Sequence, residues 1–189
     1  ADRMQFFGVV NRRWTQPGKR FRSAFIGTNV SVLQNFGGVR TGLQYDLNLS
    51  AQFLNYWGAN AHYGFSLRSL SDGLTRGGPL AQVPFRWFVN GGVSSDFRQR
   101  VAGGVFGSYS EDELGGGGWG IQTSLEWQPT STISVSAAPA YQENTSRLQY
   151  LQSQSDPAAI ATYQRQYVFA GIVQKSLDLT TRLNVTFTP

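Results

Sequence analysis

The chain has 189 residues, of which 40% are apolar and only 14% charged, with a formal net charge of +5 and no cysteine. Without cysteine there is neither a disulfide framework nor a thiolate metal centre, and the charge content falls well below the roughly 25% of a soluble domain. No apolar run reaches the ~18 residues of a transmembrane helix, and the basic residues match no nucleic-acid motif, which excludes a nucleic-acid partner.

The pattern along the chain has period two almost throughout, and it predicts strands near 4–13, 23–35, 39–54, 57–68, 84–95, 100–110, 118–128, 132–143, 165–175 and 177–188. The first follows directly on the opening "ADRMQFFGVV". In 39–53 one edge reads Val39, Thr41, Leu43, Tyr45, Leu47, Leu49, Ala51, Phe53, and the other Arg40, Gly42, Gln44, Asp46, Asn48, Ser50, Gln52. The runs 57–68, 119–128 and 177–188 repeat this division, with no charge on the first face and no large apolar residue on the second. The run 85–95 places Phe88 on the polar side, and 4–13 and 165–175 are apolar on both faces for several residues. Such stretches mark places where a lumen is plugged or its wall crowded. Only 155–166 could hold a turn or two of helix, with Asp156 capping ahead of Pro157.

From residue 54 the predicted connections alternate short and long, the long ones being 69–84, 110–118 and 144–164, and Lys175-Ser176 is read as the last tight turn. Alternating short and long connections are the mark of an antiparallel meander. Soluble strands average about 5–6 residues. Most runs here reach the ~9–11 tilted residues needed to cross a bilayer, and aromatics (Phe53, Tyr56, Trp57, Trp119, Trp127, Phe187) sit near their ends. The expected fold is therefore all-β: an antiparallel up-and-down transmembrane β-barrel, with about ten strands in this chain. Leu43, Tyr45, Leu47, Leu49 and Phe53 would face lipid. The densest basic segment, Arg12, Arg13, Lys19, Arg20 and Arg22, suits a loop that meets anionic head groups.

Several spaced motifs carry a resemblance: "LTRGGPL" (74–80), preceded by "FLNYW" (53–57) and followed by "SSDFRQR" (94–100), then "WQPTSTISVSAAPAY" (127–141) and "RQYVFAGIVQKSLDLTTRLNVTFTP" (165–189). In this order they resemble a bacterial outer-membrane β-barrel family of unknown function. Its members pair an N-terminal β-sandwich, similar to a family-nine carbohydrate-binding module, with a large C-terminal barrel. The resemblance implies the bacterial outer membrane and a barrel, and no reaction. Only barrel strands are present here, so residues 1–189 are read as one barrel domain, a C-terminal portion of a longer protein and part of a larger barrel.

The candidate lumen-lining residues are the charged groups on the polar edges: Arg40, Asp46, His62, Arg68, Glu126, Asp178 and Arg182. Mixed charges there either set a field across a pore or pair and brace the wall. The candidate mouth loop is Arg76, Gly77, Gly78, Pro79, a turn fixed by glycine and proline. In it Arg76 is placed to pair with a carboxylate and fold the loop into the mouth, or to touch a sugar or phosphate. His62 is the one histidine, and Ser66 lies roughly 13 Å along the strand from it, too far for a nucleophile and its base. No catalytic, cofactor or metal site is read, and the acidic "SEDEL" lacks calcium-loop spacing. The expected function is a pore or gated conduit for polar solutes such as oligosaccharides, with lipid as the surrounding partner. The alternative is a non-conducting anchor or structural subunit that binds other envelope proteins.

Overall fold

A computed structural model of the chain describes residues 3–71 and 73–187. Thr188, read from the sequence as the end of the last strand, and Asp72 in the long loop lie outside the described residues. The alternating runs become eleven strands: β1 (Met4–Trp14), β2 (Phe21–Gln34), β3 (Arg40–Phe53), β4 (Gly58–Ser66), β5 (Ser69–Ser71), β6 (Ala81–Val83), β7 (Arg86–Ser94), β8 (Val101–Asp112), β9 (Gly117–Thr130), β10 (Ile133–Ser155) and β11 (Arg165–Val185). Nine form one antiparallel sheet in the order β1-β2-β3-β4-β7-β8-β9-β10-β11, and β5 pairs with β6 in a separate hairpin. There is no α-helix among the described residues, only one 3-10 turn, Ile160–Thr162.

The meander is as expected, but the sheet is not closed into a barrel. β1 pairs only with β2 and β11 only with β10, so each keeps an open edge. Closing a barrel requires the first and last strands to meet at a consistent tilt and stagger, and these two do not. The count of ten strands is also corrected. Lys175-Ser176 is not a turn: β11 runs straight through it, with Lys175 opposite Glu143 and Ser176 opposite Gln142. Neither residue supplies the positive φ or fixed φ of a tight turn. The segment 144–155, read as the start of a loop, instead continues β10: Asn144 and Thr145 still pair with Gly118 and Gly117 of β9, and the rest runs past β9, paired with β11 through two bulges at Ser146/Gln149 and Tyr150/Gln152.

One end of the sheet has only short connections, at 15–20, 54–57, 95–100 and 131–132. The other has 35–39, 113–116, the projecting β10–β11 hairpin with its loop 156–164, and the long excursion 67–85 that contains β5 and β6. The run 110–118, read as a long loop, shrinks to a four-residue turn, 113–116, because β8 and β9 pair up to Glu111 opposite Gly117. That pairing requires Gly117 at φ +147, where a Cβ would lie 2.8 Å from the Cα of Glu111.

The two faces behave as the alternation implies, but the apolar one is bare. Among the described residues the buried apolar side chains are only Ala102 and Pro84, while Leu47, Leu49, Tyr63, Val93, Leu125 and Leu179 are all exposed. No second layer covers them among the described residues, so there is no core packed between two sheets. No described helix is long and apolar enough to cross a membrane, which says nothing of strands.

Aromatic rings on the apolar face gather at two levels. Near the long-connection end, Tyr45–Phe65, Trp87–Tyr109 and Trp119–Tyr141 have centroids 5.1, 5.4 and 5.2 Å apart. Near the short-connection end, Phe21 and Phe53 lie 5.4 Å apart, with Trp14, Trp57 and Trp127 exposed close to the neighbouring strand ends. Tyr45 and Phe53 on β3, like Trp119 and Trp127 on β9, are separated by eight residues, roughly 27 Å of strand.

Candidate functional site

The most densely bonded part of the polar face is built around Asp46 on β3. The register sets Asp46 between Asn29 of β2 and Gly64 of β4, and sets Asn48 opposite His62. Asp46 is only 7% exposed. Its carboxylate accepts hydrogen bonds from Asn29 Nδ2 (2.8 Å), Gln44 Nε2 (3.0 and 3.2 Å) and His62 Nε2 (3.0 Å). An ionised carboxylate only accepts, so Nε2 carries the imidazole proton, and Nδ1 faces Asn90 Nδ2 at 3.4 Å. Asn48 Nδ2 donates to Asn29 Oδ1 and Ser66 Oγ to Gln44 Oε1, both at 3.4 Å. The ring of Phe88 stands edge-on to His62, centroids 5.0 Å apart. Both ring nitrogens are partnered, so His62 ties β4 and β7 to the Asp46 carboxylate.

Of the charged residues expected on the lumenal side, only Asp46 and His62 meet. Glu126 and Arg182 share the face and flank Ser136 from its two sides. Each turns to an amide on its own strand: Glu126 accepts from Gln128 Nε2 (2.9 Å), and Arg182 Nε donates to Asn184 Oδ1 (2.9 Å). Arg40 and Asp178 make no ion pair among the described residues. Arg68 is corrected: it lies past the end of β4, at the long-connection end, and its Nη2 meets Glu113 Oε2 at 2.5 Å. Glu113 also accepts the Phe85 N–H. The Arg68 hydrogen bond holds its carboxyl below the usual range, against the upward push of burial.

The turn at Arg76–Pro79 lies in the excursion 67–85 at the long-connection end. Arg76 adopts φ +52 and Gly77 φ +89, and Thr75 Oγ1 donates to the Pro79 carbonyl at 2.8 Å. Among the described residues Arg76 meets no carboxylate: its guanidinium lies 4.8 Å from the centroid of Tyr150 on the projecting hairpin. Gly78 packs against the Tyr167 hydroxyl so tightly that a Cβ has no room. The excursion from β4 to β7 thus reaches across to β10 and β11. Its own hairpin turns over the polar face, with a cavity of about 300 Å³ between Ser69, Ser71 and Val83 and the side chains of Ser31, Gln44 and Ser66.

Two adjoining grooves open further along the polar face. One, of about 390 Å³, is lined by Asn60, Ser94, Phe106, Gln122 and Ser124. The next, of about 590 Å³, shares Asn60 and Ser94 and adds Phe25, Ser50, Gln52 and, as its one charge, Arg13. Three phenylalanines on this face each lie over a glycine. Phe25 Cζ is 2.6 Å from where a Gly27 Cβ would be, Phe106 Cδ2 is 3.1 Å from that of Gly92, and Phe88 covers Gly64. Phe25 also has the Arg13 guanidinium 5.6 Å from its ring centroid and Phe88 has His62, so Phe106 is the one of the three with no further ring contact among the described residues. Amide and hydroxyl groups beside such rings suit a neutral, hydroxyl-rich molecule. No group of three or more His, Cys, Asp or Glu side chains among the described residues could hold a metal.

At the short-connection end, the turn 95–100 is closed by a forked ion pair that the sequence reading missed. Arg98 Nε donates to Asp96 Oδ1 at 2.8 Å and Nη2 to Oδ2 at 2.6 Å. Its signal was present: an acid and an arginine two residues apart in "SSDFRQR". The Arg98 hydrogen bond depresses the Asp96 carboxyl far below its ordinary 3.8, with burial opposing. Because the folded value is the lower one, this contribution to stability is complete above about pH 4 and is lost as pH falls below it. Asp96→Asn is therefore expected to reduce the loss of stability between about pH 4 and pH 2, read as Tm against pH. An unchanged acid limb would show that the turn does not report on folding.

No family model, no curated protein and no solved structure matches the chain.

Proposed function

We propose that this sheet is wall of an outer-membrane β-barrel in a bacterium, and that its polar face lines a gated conduit for uncharged polar solutes such as oligosaccharides. The observation that carries the reading is the single two-faced layer: an exposed apolar face with no described residue over it, backed by a polar face whose two grooves carry one charge, Arg13. The distance between the two aromatic levels supports it. Roughly 27 Å of strand tilted by about 40° spans near 21 Å of depth, close to the ~25 Å apolar band of such barrels. Arg12 is the charged residue on the apolar face between those levels, opposite Ile26. Its guanidinium lies 4.9 Å from the Trp14 ring centroid, turned toward the short-connection end, as a snorkelling side chain does. Further strands paired to the open edges of β1 and β11 would satisfy their free backbone groups and close the wall. The excursion carrying Arg76 and the β5–β6 hairpin is the gate in this reading.

The protein in a planar bilayer is expected to conduct. Neutral linear oligosaccharides should block it reversibly, with an affinity insensitive to salt. Phe106→Ala should weaken that block by about 3–10-fold, the worth of one stacking contact. Absence of conductance under every gating condition would remove the conduit. The second reading, a non-conducting anchor, is favoured by Phe7 and Val9. They lie on the polar-face side of β1, opposite Ser31 and Asn29, and are 72% and 52% exposed. A dry contact there would fill the lumen, and stoichiometric co-purification of a second envelope protein would decide for it.

A further inference from the structure

The basic residues are not evenly placed. Lys19, Arg20, Arg22, Arg98 and Arg100 all lie in or beside the connections 15–20 and 95–100 at the short-connection end. Arg12 points toward the same end over Trp14. Among the described residues, the one carboxylate in these connections is Asp96, already spent on Arg98. At the opposite end the charges are mixed: Arg68 has Glu113, Lys175 has Glu143, and Arg86 and Arg165 share that end with Asp112 and Asp156.

Two of the cations are brought together deliberately. Tyr56 sits in the turn 54–57 at φ +66. The Arg98 guanidinium lies 3.1 Å from its ring centroid and that of Arg22 lies 4.0 Å from it. One aromatic ring thus holds two guanidinium groups that repel each other. The ring's quadrupole offsets that repulsion only in part. Arg98 offers Asp96 its Nε and Nη2 hydrogens, which leaves Nη1 free of it. The Arg22 side chain makes no hydrogen bond or ion pair among the described residues, and the residue occupies the extra, bulged position between Phe21 and Ser23.

We infer that the Arg22–Tyr56–Arg98 cluster is a binding site for a phosphodiester anion, and that its ligand is the head group of an anionic phospholipid in the leaflet beside the short connections. Forked guanidinium donors match phosphate oxygens in geometry as well as charge. The lipid source is favoured over free phosphate by what surrounds the cluster: Leu54 and Phe97 are exposed in the same two turns, and Phe53 and Trp57 flank Tyr56. Those side chains suit acyl chains beneath a head group. The site rests on the membrane-wall reading above, since a head group is at hand only if the sheet lies in a bilayer.

The test uses the whole chain in phosphatidylcholine vesicles. Insertion is scored by protection from protease, and lipid selectivity by the motionally restricted fraction of spin-labelled phosphatidylglycerol against phosphatidylcholine. Phosphatidylglycerol should be preferred by about fivefold at low salt, and less so at high salt. Arg22→Gln should abolish most of that preference while leaving the Asp96–Arg98 fork and insertion intact. Lys19→Gln with Arg20→Gln, which disturbs no described bond, should reduce it part-way. Insertion with equal affinity for the two lipids would overturn the lipid site and spare the membrane wall. Loss of the preference in millimolar inorganic phosphate would assign the cluster to the free anion instead. Failure to insert would overturn both readings.

Discussion

Asp46→Ala is expected to lower the unfolding free energy by about 2–4 kcal/mol, the largest effect of any polar substitution in the sheet. Asn29, Gln44 and His62 all donate to this one carboxylate, which is 7% exposed. Removing it strands three donors rather than one. The full cost of breaking a buried ion pair, about 3–5 kcal/mol, is not expected, because His62 is 31% exposed and can turn to water. Asp46→Asn retains one acceptor but turns an amide N–H₂ toward donors, so it should fall between, near about 1–2 kcal/mol. His62→Ala removes one donor of three and should cost about 1 kcal/mol. Urea unfolding in detergent micelles, followed by tryptophan fluorescence, gives all three. If Asp46→Ala stayed within about 0.5 kcal/mol of the parent, as surface substitutions do, Asp46 would not be the brace.

Much of the fold could be read from alternation alone, because the side-chain period of a strand is two and one face here is almost free of charge. Residues 40–53 and 58–66 needed nothing more. What alternation could not supply was partnership. Asp46 and His62 were both placed on the polar edge, yet their contact is diagonal across β3 and β4, and it emerges only when Asn48 is set opposite His62. In the stretch 144–155, Arg147, Gln149, Gln152 and Gln154 leave no clean apolar face. It is a strand all the same, held by β11 and by the Tyr150–Phe169 contact at 6.1 Å. Lys175-Ser176 contains no glycine, proline or asparagine to break the chain, and β11 runs through it. Closure depends on how β1 and β11 stand to one another, which no strand's own sequence records.

Gly64 is the position where the brace and the aromatic floor meet, and Gly64→Val is expected to disrupt both. A Cβ at Gly64 would lie 2.8 Å from Asp46 Oδ1 and 2.9 Å from Phe88 Cε1. The backbone is ordinary extended strand, so the requirement for glycine is one of space and not of φ. Overpacking of this kind costs about 1–3 kcal/mol, and displacing the Asp46 carboxylate would add part of the loss expected from Asp46→Ala. The smaller Gly64→Ala separates the two causes. If the Phe88 ring is the main obstacle, Gly64→Ala combined with Phe88→Ala should be less destabilised than the sum of the single changes by about 0.5–3 kcal/mol, the coupling found for residues in contact. If the carboxylate is the obstacle, the two changes should add, and the coupling should appear instead between Gly64→Ala and Asp46→Ala. Either result leaves the glycine explained. Additivity in both cycles would sink the argument, since it would mean that neither neighbour is what keeps a side chain out of this position.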